Sequence, residues 1–199
     1  MKRLIFPFLF ALTSSLSAQH ATHEKFSLAW TKGEVVFKTG DTINCDIRFN
    51  QTGDKPILQI SHSGHTLTIP VSDVSEFSFF DSKKNRSRHF TSMEDPQADG
   101  QEYVMEKIYA DGHFSILNHK TMEVPPELNF SRFLAKPIKV HKKYIYDATT
   151  GEILPLSPEN LLELLEPRKN EILSYVKANN IRFRKIADFI SVFEYHNSL

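Results

Sequence analysis

The sequence predicts an α+β fold: an antiparallel, meander-like, curled β-sheet over residues 30–157, then three short C-terminal α-helices packed on it over residues 158–199. Three observations lead there. Ile43, Cys45, Ile47 and Phe49 alternate with Asn44, Asp46 and Arg48, a period of two that sends apolar and polar side chains to opposite faces of a strand. Asp111-Gly112 joins two further apolar-rich runs, Glu102–Ala110 and His113–His119, and Asp-Gly in that setting is a strong hairpin signal. At Ser157 the composition changes. Ser157-Pro158-Glu159 supplies a capping hydroxyl, a proline at the first helical position and an acid near the positive helix end.

Residues 1–18 read as an export signal. Lys2 and Arg3 form its charged start, Leu4–Leu12 its apolar run, and Ser17-Ala18-Gln19 its small-residue end. The apolar run is shorter than the roughly 20 residues that a membrane-spanning helix needs. Removing it leaves 22 basic residues against 24 acidic ones, and no transmembrane segment is expected in the mature chain. Residues 19–29 are a polar linker in which His20 and His23 belong to a mobile tail. The full chain has a formal net charge of zero, which gives no reason to expect nucleic acid as a partner. Its one cysteine, Cys45, rules out an internal disulfide and lies on the apolar side of its strand, where a free thiol acts as a small hydrophobe.

The first hairpin runs from Lys32 to Phe49. Glu34–Phe37 is its first strand, and Lys38-Thr39-Gly40-Asp41 is its turn. A second hairpin is expected where Ser63-Gly64 separates Ile57–Ser61 from Thr66–Ile69. A two-residue turn there opposes His62 and His65, but two imidazoles fall short of the three or four ligands of a metal site. Pro70 stops the ladder, Ser72–Val74 can form one helical turn, and Glu76–Phe80 is an aromatic strand. Asp81–Arg88, with Lys83, Lys84, Arg86 and Arg88, reads as a solvated basic loop; contact with an anion or headgroup is its functional alternative. Ser92–Gln101 reads as a surface loop whose acids do not match the spacing of a calcium loop.

Pro125-Pro126 forbids a central strand or a helix interior around Lys120–Phe133, which leaves a loop crossing the sheet. Pro137–Tyr146 is extended, Asp147–Gly151 turns, and Ile153–Leu156 closes the β-rich part. Leu161, Leu162, Leu164 and Leu165 line the first helix, and Pro167 starts the second. Ile172, Leu173 and Val176 give that helix its apolar stripe, and Asn179-Asn180 end it. In the third helix Phe183, Ile186, Phe189, Ile190 and Phe193 fall on one face of a 3.6-residue period, a stripe expected to pack on its own domain.

The sequence holds no G-x-S-x-G, S-x-x-K, C-x-x-C, P-loop or G-x-G-x-x-G pattern. No residue is therefore assigned to catalysis, to a cofactor or to a metal. Gly33-Glu34-Val35-Val36-Phe37-Lys38-Thr39-Gly40-Asp41-Thr42-Ile43 resembles the first hairpin of a group of functionally uncharacterised exported β-rich proteins of Bacteroidota. The export signal and the Tyr103–Leu117 hairpin suit that group, whereas Cys45 stands where it often has glycine. The resemblance implies export to the envelope, periplasmic or secreted, and carries no known activity and no catalytic residues. The function expected is non-catalytic binding of another envelope protein or a surface component. Two alternatives stand beside it. A hydrolase outside the cytoplasm needs two or more of His62, His65, His89, His113 and His119 to meet a carboxylate in one cleft. A ligand-binding β-barrel needs a closed wall around an apolar cavity.

Overall fold

A computed structural model describes residues 29–51, 56–94, 102–123 and 138–199. Ten strands form one open antiparallel sheet: β1 (Thr31–Phe37), β2 (Thr42–Asn50), β3 (Ile57–His62), β4 (His65–Ile69), β5 (Val74–Asp81), β6 (Arg86–Glu94), β7 (Glu102–Asp111), β8 (Phe114–Glu123), β9 (Ile138–Asp147) and β10 (Ile153–Pro155). The order across the sheet is β10-β9-β8-β7-β6-β5-β1-β2-β3-β4. The chain meanders except at one place. After β4 it crosses through a 3-10 turn at Val71–Asp73, and β5 pairs with β1. Three helices follow: α1 (Pro158–Leu164), α2 (Lys169–Ala178) and α3 (Ile186–Ser198). None of the described helices is long and apolar enough to cross a membrane.

The register sorts the sheet into two faces. On the inner face one cross-strand row runs Ile43, Val35, Phe77, Phe90, Glu106, Asn118, Lys143. Phe77 and Phe90 stack at 4.7 Å, Phe79 lies 5.5 Å from Phe90, and Phe49 packs edge-on to Phe77 at 4.8 Å. Val35, Ile47, Leu58, Ile60 and Val74 close around these rings, all nearly or wholly buried. Each such side chain contributes about 1.5–3 kcal/mol on leaving water. This packing curls the first seven strands. Gln51 Nε2 donates to the Val104 carbonyl at 3.3 Å, the Val71–Asp73 turn touches β7, and Lys38 after β1 pairs with Glu102 at the start of β7. The curl does not close into a barrel, and phenyl rings fill the space where a barrel would hold a ligand.

The helices cover the inner face farther along. Ile116 and Ile145 of β8 and β9 are fully buried under Leu161, Leu165, Ile172, Val192 and Phe193. Ser157 Oγ accepts from the Asn160 amide at 3.1 Å and caps α1 with Pro158 behind it, as its sequence requires. Asp188 Oδ2 caps α3 by accepting from the Arg184 amide at 2.8 Å. A third apolar group, Met105, Leu117 and Tyr144, lies on the opposite face of β7–β9.

Several expectations need correction. The basic stretch is not a loop throughout: only residues 82–85 turn, and Arg86 and Arg88 belong to β6, a strand absent from the sequence reading. Ser92–Glu94 also belong to β6 rather than to a surface loop. The tight turn after β7 is Gly112-His113, because Asp111 still pairs with Phe114. Gly112 there takes φ +60°, the glycine position of a two-residue hairpin. Phe183 precedes α3 in the left-handed region (φ +53°), and Val192, which the spacing did not single out, is buried in the α3 stripe. Leu173 of α2 is exposed. The export signal, residues 19–28 of the linker, the Pro125-Pro126 crossing and residues 95–101 lie outside the described residues.

Candidate functional site

The inner face carries one concentrated piece of electrostatics. Glu106 occupies an inward position of β7 between Val104 and Ile108, next to Phe90 across the strands. Its carboxylate accepts from Arg88 at both oxygens, Nε to Oε1 and Nη2 to Oε2, each at 2.8 Å. Arg86 Nη2 adds a 2.8 Å bond to Oε1, and Lys120 Nζ a 3.2 Å bond to Oε2. Arg88 also approaches Asp81 Oδ2 at 3.5 Å. Asp81 in turn organises the β5–β6 turn, since its Oδ1 accepts from the Lys83 and Lys84 amides. The Arg88 guanidinium lies over the Phe90 ring at 4.7 Å, so the ion pair is stacked directly on the aromatic core.

Burial pushes the Glu106 carboxyl toward higher pKa. The Arg88 hydrogen bonds and charge, with Lys120, more than offset this and hold it at about 2. Lys120 moves down, chiefly through burial, with repulsion from Arg88 and Lys84 against the pull of Glu106. Such a bidentate, multiply bonded carboxylate is a structural lock; every one of its strong partners is already in place.

The outer face of β1, β2 and β5 is open and polar. A groove of about 650 Å³ crosses β3, β2, β1, β5 and the start of β6. Two cross-strand rows floor it. One runs Ser61, Asp46, Lys32 and on to Phe80 and Ser87; the other runs Asn44, Glu34 and Ser78. Lys32, Glu34, Asn44 and Asp46 are exposed, and the Phe80 ring, 48 % exposed, stands on this side instead of in the core. Beneath the groove, Gly33 lets β5 and the Ile47 side chain come close: a Cβ there would sit 2.2 Å from the Ser78 carbonyl oxygen and 2.6 Å from Ile47 Cδ1. A neighbouring cleft of about 360 Å³ carries Glu76, His89 and Lys107, in which Lys107 Nζ holds Glu76 Oε1 at 2.6 Å.

The histidines do not converge. His62 and His65 oppose each other at the β3–β4 turn, as expected, and His62 Nδ1 lies 3.2 Å from the Asn44 carbonyl. His89 is on the outer face of β6, His113 is in the β7–β8 turn, and His119 is buried with its ring 4.6 Å from Tyr103. The hydrolase arrangement, with two of these five in one cleft beside a carboxylate, is not formed. Among the described residues no three His, Cys, Asp or Glu side chains group to hold a metal. Cys45 is buried on the inner face, where burial and then the Asp46 charge push its thiol pKa up.

The sequence reading missed both functional candidates, for different reasons. Glu106 could have been found: a lone charge between Val104 and Ile108 at core spacing demands an inward partner, and Arg86, Arg88 and Phe90 repeat at the same period. The groove is built by twist and curl, which leave no trace in residue order. No family model matches the chain, and neither a curated protein nor a solved structure does.

Proposed function

We propose that the chain is an exported, non-catalytic envelope protein, periplasmic or secreted, that binds another envelope protein or a surface component. The outer groove over β2, β1 and β5 is its contact surface. The observation that carries this reading is the exposed Phe80 ring in a groove lined mostly by polar side chains, among them Lys32, Glu34, Asn44 and Asp46. An exposed aromatic amid adaptable donors and acceptors is the composition of a recognition surface. Export is supported by the tripartite start of the sequence. The zero formal net charge gives no support to nucleic acid as the partner.

A photoreactive phenylalanine analogue placed at position 80, and separately at the exposed position 177 of α2, tests this in intact cells. The expected result is a discrete adduct from position 80 alone, lost when Asp46→Lys is added. No adduct at position 80, or the same adducts from both positions, overturns the reading.

A further inference from the structure

The inner face changes character at β7. Up to Phe90 its central row is apolar; beyond it come Glu106, Asn118 and Lys143, with Lys120 and His141 paired alongside. Directly opposed residues on neighbouring antiparallel strands hold their Cβ atoms about 4.5–5.5 Å apart. Asn118, Lys143, Lys120 and His141 therefore form one compact quadrilateral on one face of β8 and β9. Lys84, projecting from the β5–β6 turn, is near enough to repel Lys120.

The charges here do not balance. Lys84, Arg86, Arg88, Lys120 and Lys143 face the two carboxylates Asp81 and Glu106, and Glu106 is already saturated by Arg88, Arg86 and Lys120. Among the described residues, no ion pair or hydrogen bond engages the Lys84 and Lys143 ammonium groups or the His141 ring. His141 is exposed and Lys143 half-buried, so the cluster is reachable from solvent. At its centre Asn118 is only 6 % exposed, and its Oδ1 has no hydrogen-bond partner. A buried amide left unsatisfied is unfavourable, and an oxyanion, which only accepts, cannot pair with Oδ1 as it stands. Turned about its last torsion, the same amide offers its NH2 group to an acceptor.

We infer that Asn118, Lys120, Lys143, His141 and Lys84 form a binding site for a phosphate-type oxyanion, with Glu106 as the anchor that fixes Lys120 from below. The site lies on the face opposite the outer groove and does not depend on it. Lysines bind phosphate as point charges, and a buried amide gives the site a fixed direction. The oxyanion can be free phosphate or the headgroup of an anionic lipid; the recognising chemistry is the same.

Isothermal titration of the mature protein with inorganic phosphate at low ionic strength tests the site, alongside flotation with vesicles of phosphatidylglycerol and of phosphatidylcholine. The expected result is saturable binding of phosphate, of phosphatidylglycerol vesicles, or of both, weakened at least tenfold in Lys143→Ala and in Lys84→Ala and unchanged in Lys177→Ala on α2. Binding to the vesicles that phosphate competes away identifies a headgroup; phosphate binding without vesicle binding identifies a soluble anion. Thermal melting checks that each variant remains folded; neither lysine belongs to the buried core among the described residues. Absence of binding by both probes, or binding that survives both substitutions, overturns the inference. Neither outcome touches the crosslinking result at position 80.

Discussion

Arg88 and Glu106 meet through two parallel 2.8 Å hydrogen bonds at the point where the phenylalanine interior ends, and both residues are more than nine-tenths buried. The pair does two jobs. It terminates the apolar row at Phe90, and it ties β6 to β7 with a geometry that only a guanidinium and a carboxylate can make.

Breaking the pair from one side should therefore be worse than removing it whole. Glu106→Ala leaves Arg88 buried without its main partner and should cost about 3–5 kcal/mol. The double variant Arg88→Met, Glu106→Leu should recover a large part of that loss, since matched apolar replacements remove both desolvation penalties. Urea denaturation of Arg88→Met, of Glu106→Leu and of the double variant measures the coupling.

Acid should weaken the fold through this site. The folded carboxyl of Glu106 is held at about 2, below its ordinary 4.5, so its contribution to stability is fully present above the ordinary value. It is lost as pH falls from about 4.5 toward about 2, because the unfolded chain then takes up the proton that the folded one resists. A depression of this size corresponds to about 3 kcal/mol at neutral pH. Denaturant midpoints between pH 6 and pH 2 should fall steeply in the wild type. They should fall less in the Arg88→Met, Glu106→Leu variant.

Much of the sheet could be read before any coordinates. Alternation placed Ile43, Cys45, Ile47 and Phe49 on one face, and Cys45, Ile47 and Phe49 are indeed buried. Ser63-Gly64 gave the β3–β4 turn because both residues must reach positive φ, and they do, at +51° and +81°. Strand β6 escaped because Arg86 and Arg88 look like loop residues until their shared inward partner Glu106 is known, and it lies 20 and 18 residues away in sequence. Phe183 escaped because helical spacing continues through it, while its backbone sits in the left-handed region and only its ring joins the helix stripe, 5.0 Å from Phe189.

Gly33 should tolerate no side chain. The Cβ of Gly33→Ala meets the Ser78 backbone oxygen as well as Ile47, so β1 and β5 must part. Overpacking of this kind costs about 1–3 kcal/mol, and a backbone obstacle places it at the upper end. A fall in the thermal midpoint without loss of cooperativity is the expected readout. Gly40→Ala, where nothing stands within 4 Å of the added Cβ, loses stability only through its positive φ.

The C-terminal helices should be inseparable from the sheet. Phe193 packs on Phe114 at 5.2 Å and on Tyr109 at 6.1 Å, and Ile116 and Ile145 are fully buried beneath this layer. Phe193→Ala should cost about 3–5 kcal/mol. A chain ending at Ser157 exposes that apolar face and should aggregate, which sedimentation of the purified fragment would show.

The central claim is that side-chain alternation gives β1, β2 and β5 a packed inner face and an open, polar outer one. Thiol labelling along β2 tests it most directly, with native Cys45 compared with Asn44→Cys and Asp46→Cys in a Cys45→Ser background. Cys45 should stay unreactive until the protein is unfolded, while positions 44 and 46 should label at the rate of free thiols. Rapid labelling of Cys45 in the native protein, or protection of both neighbours in the isolated chain, would contradict the account.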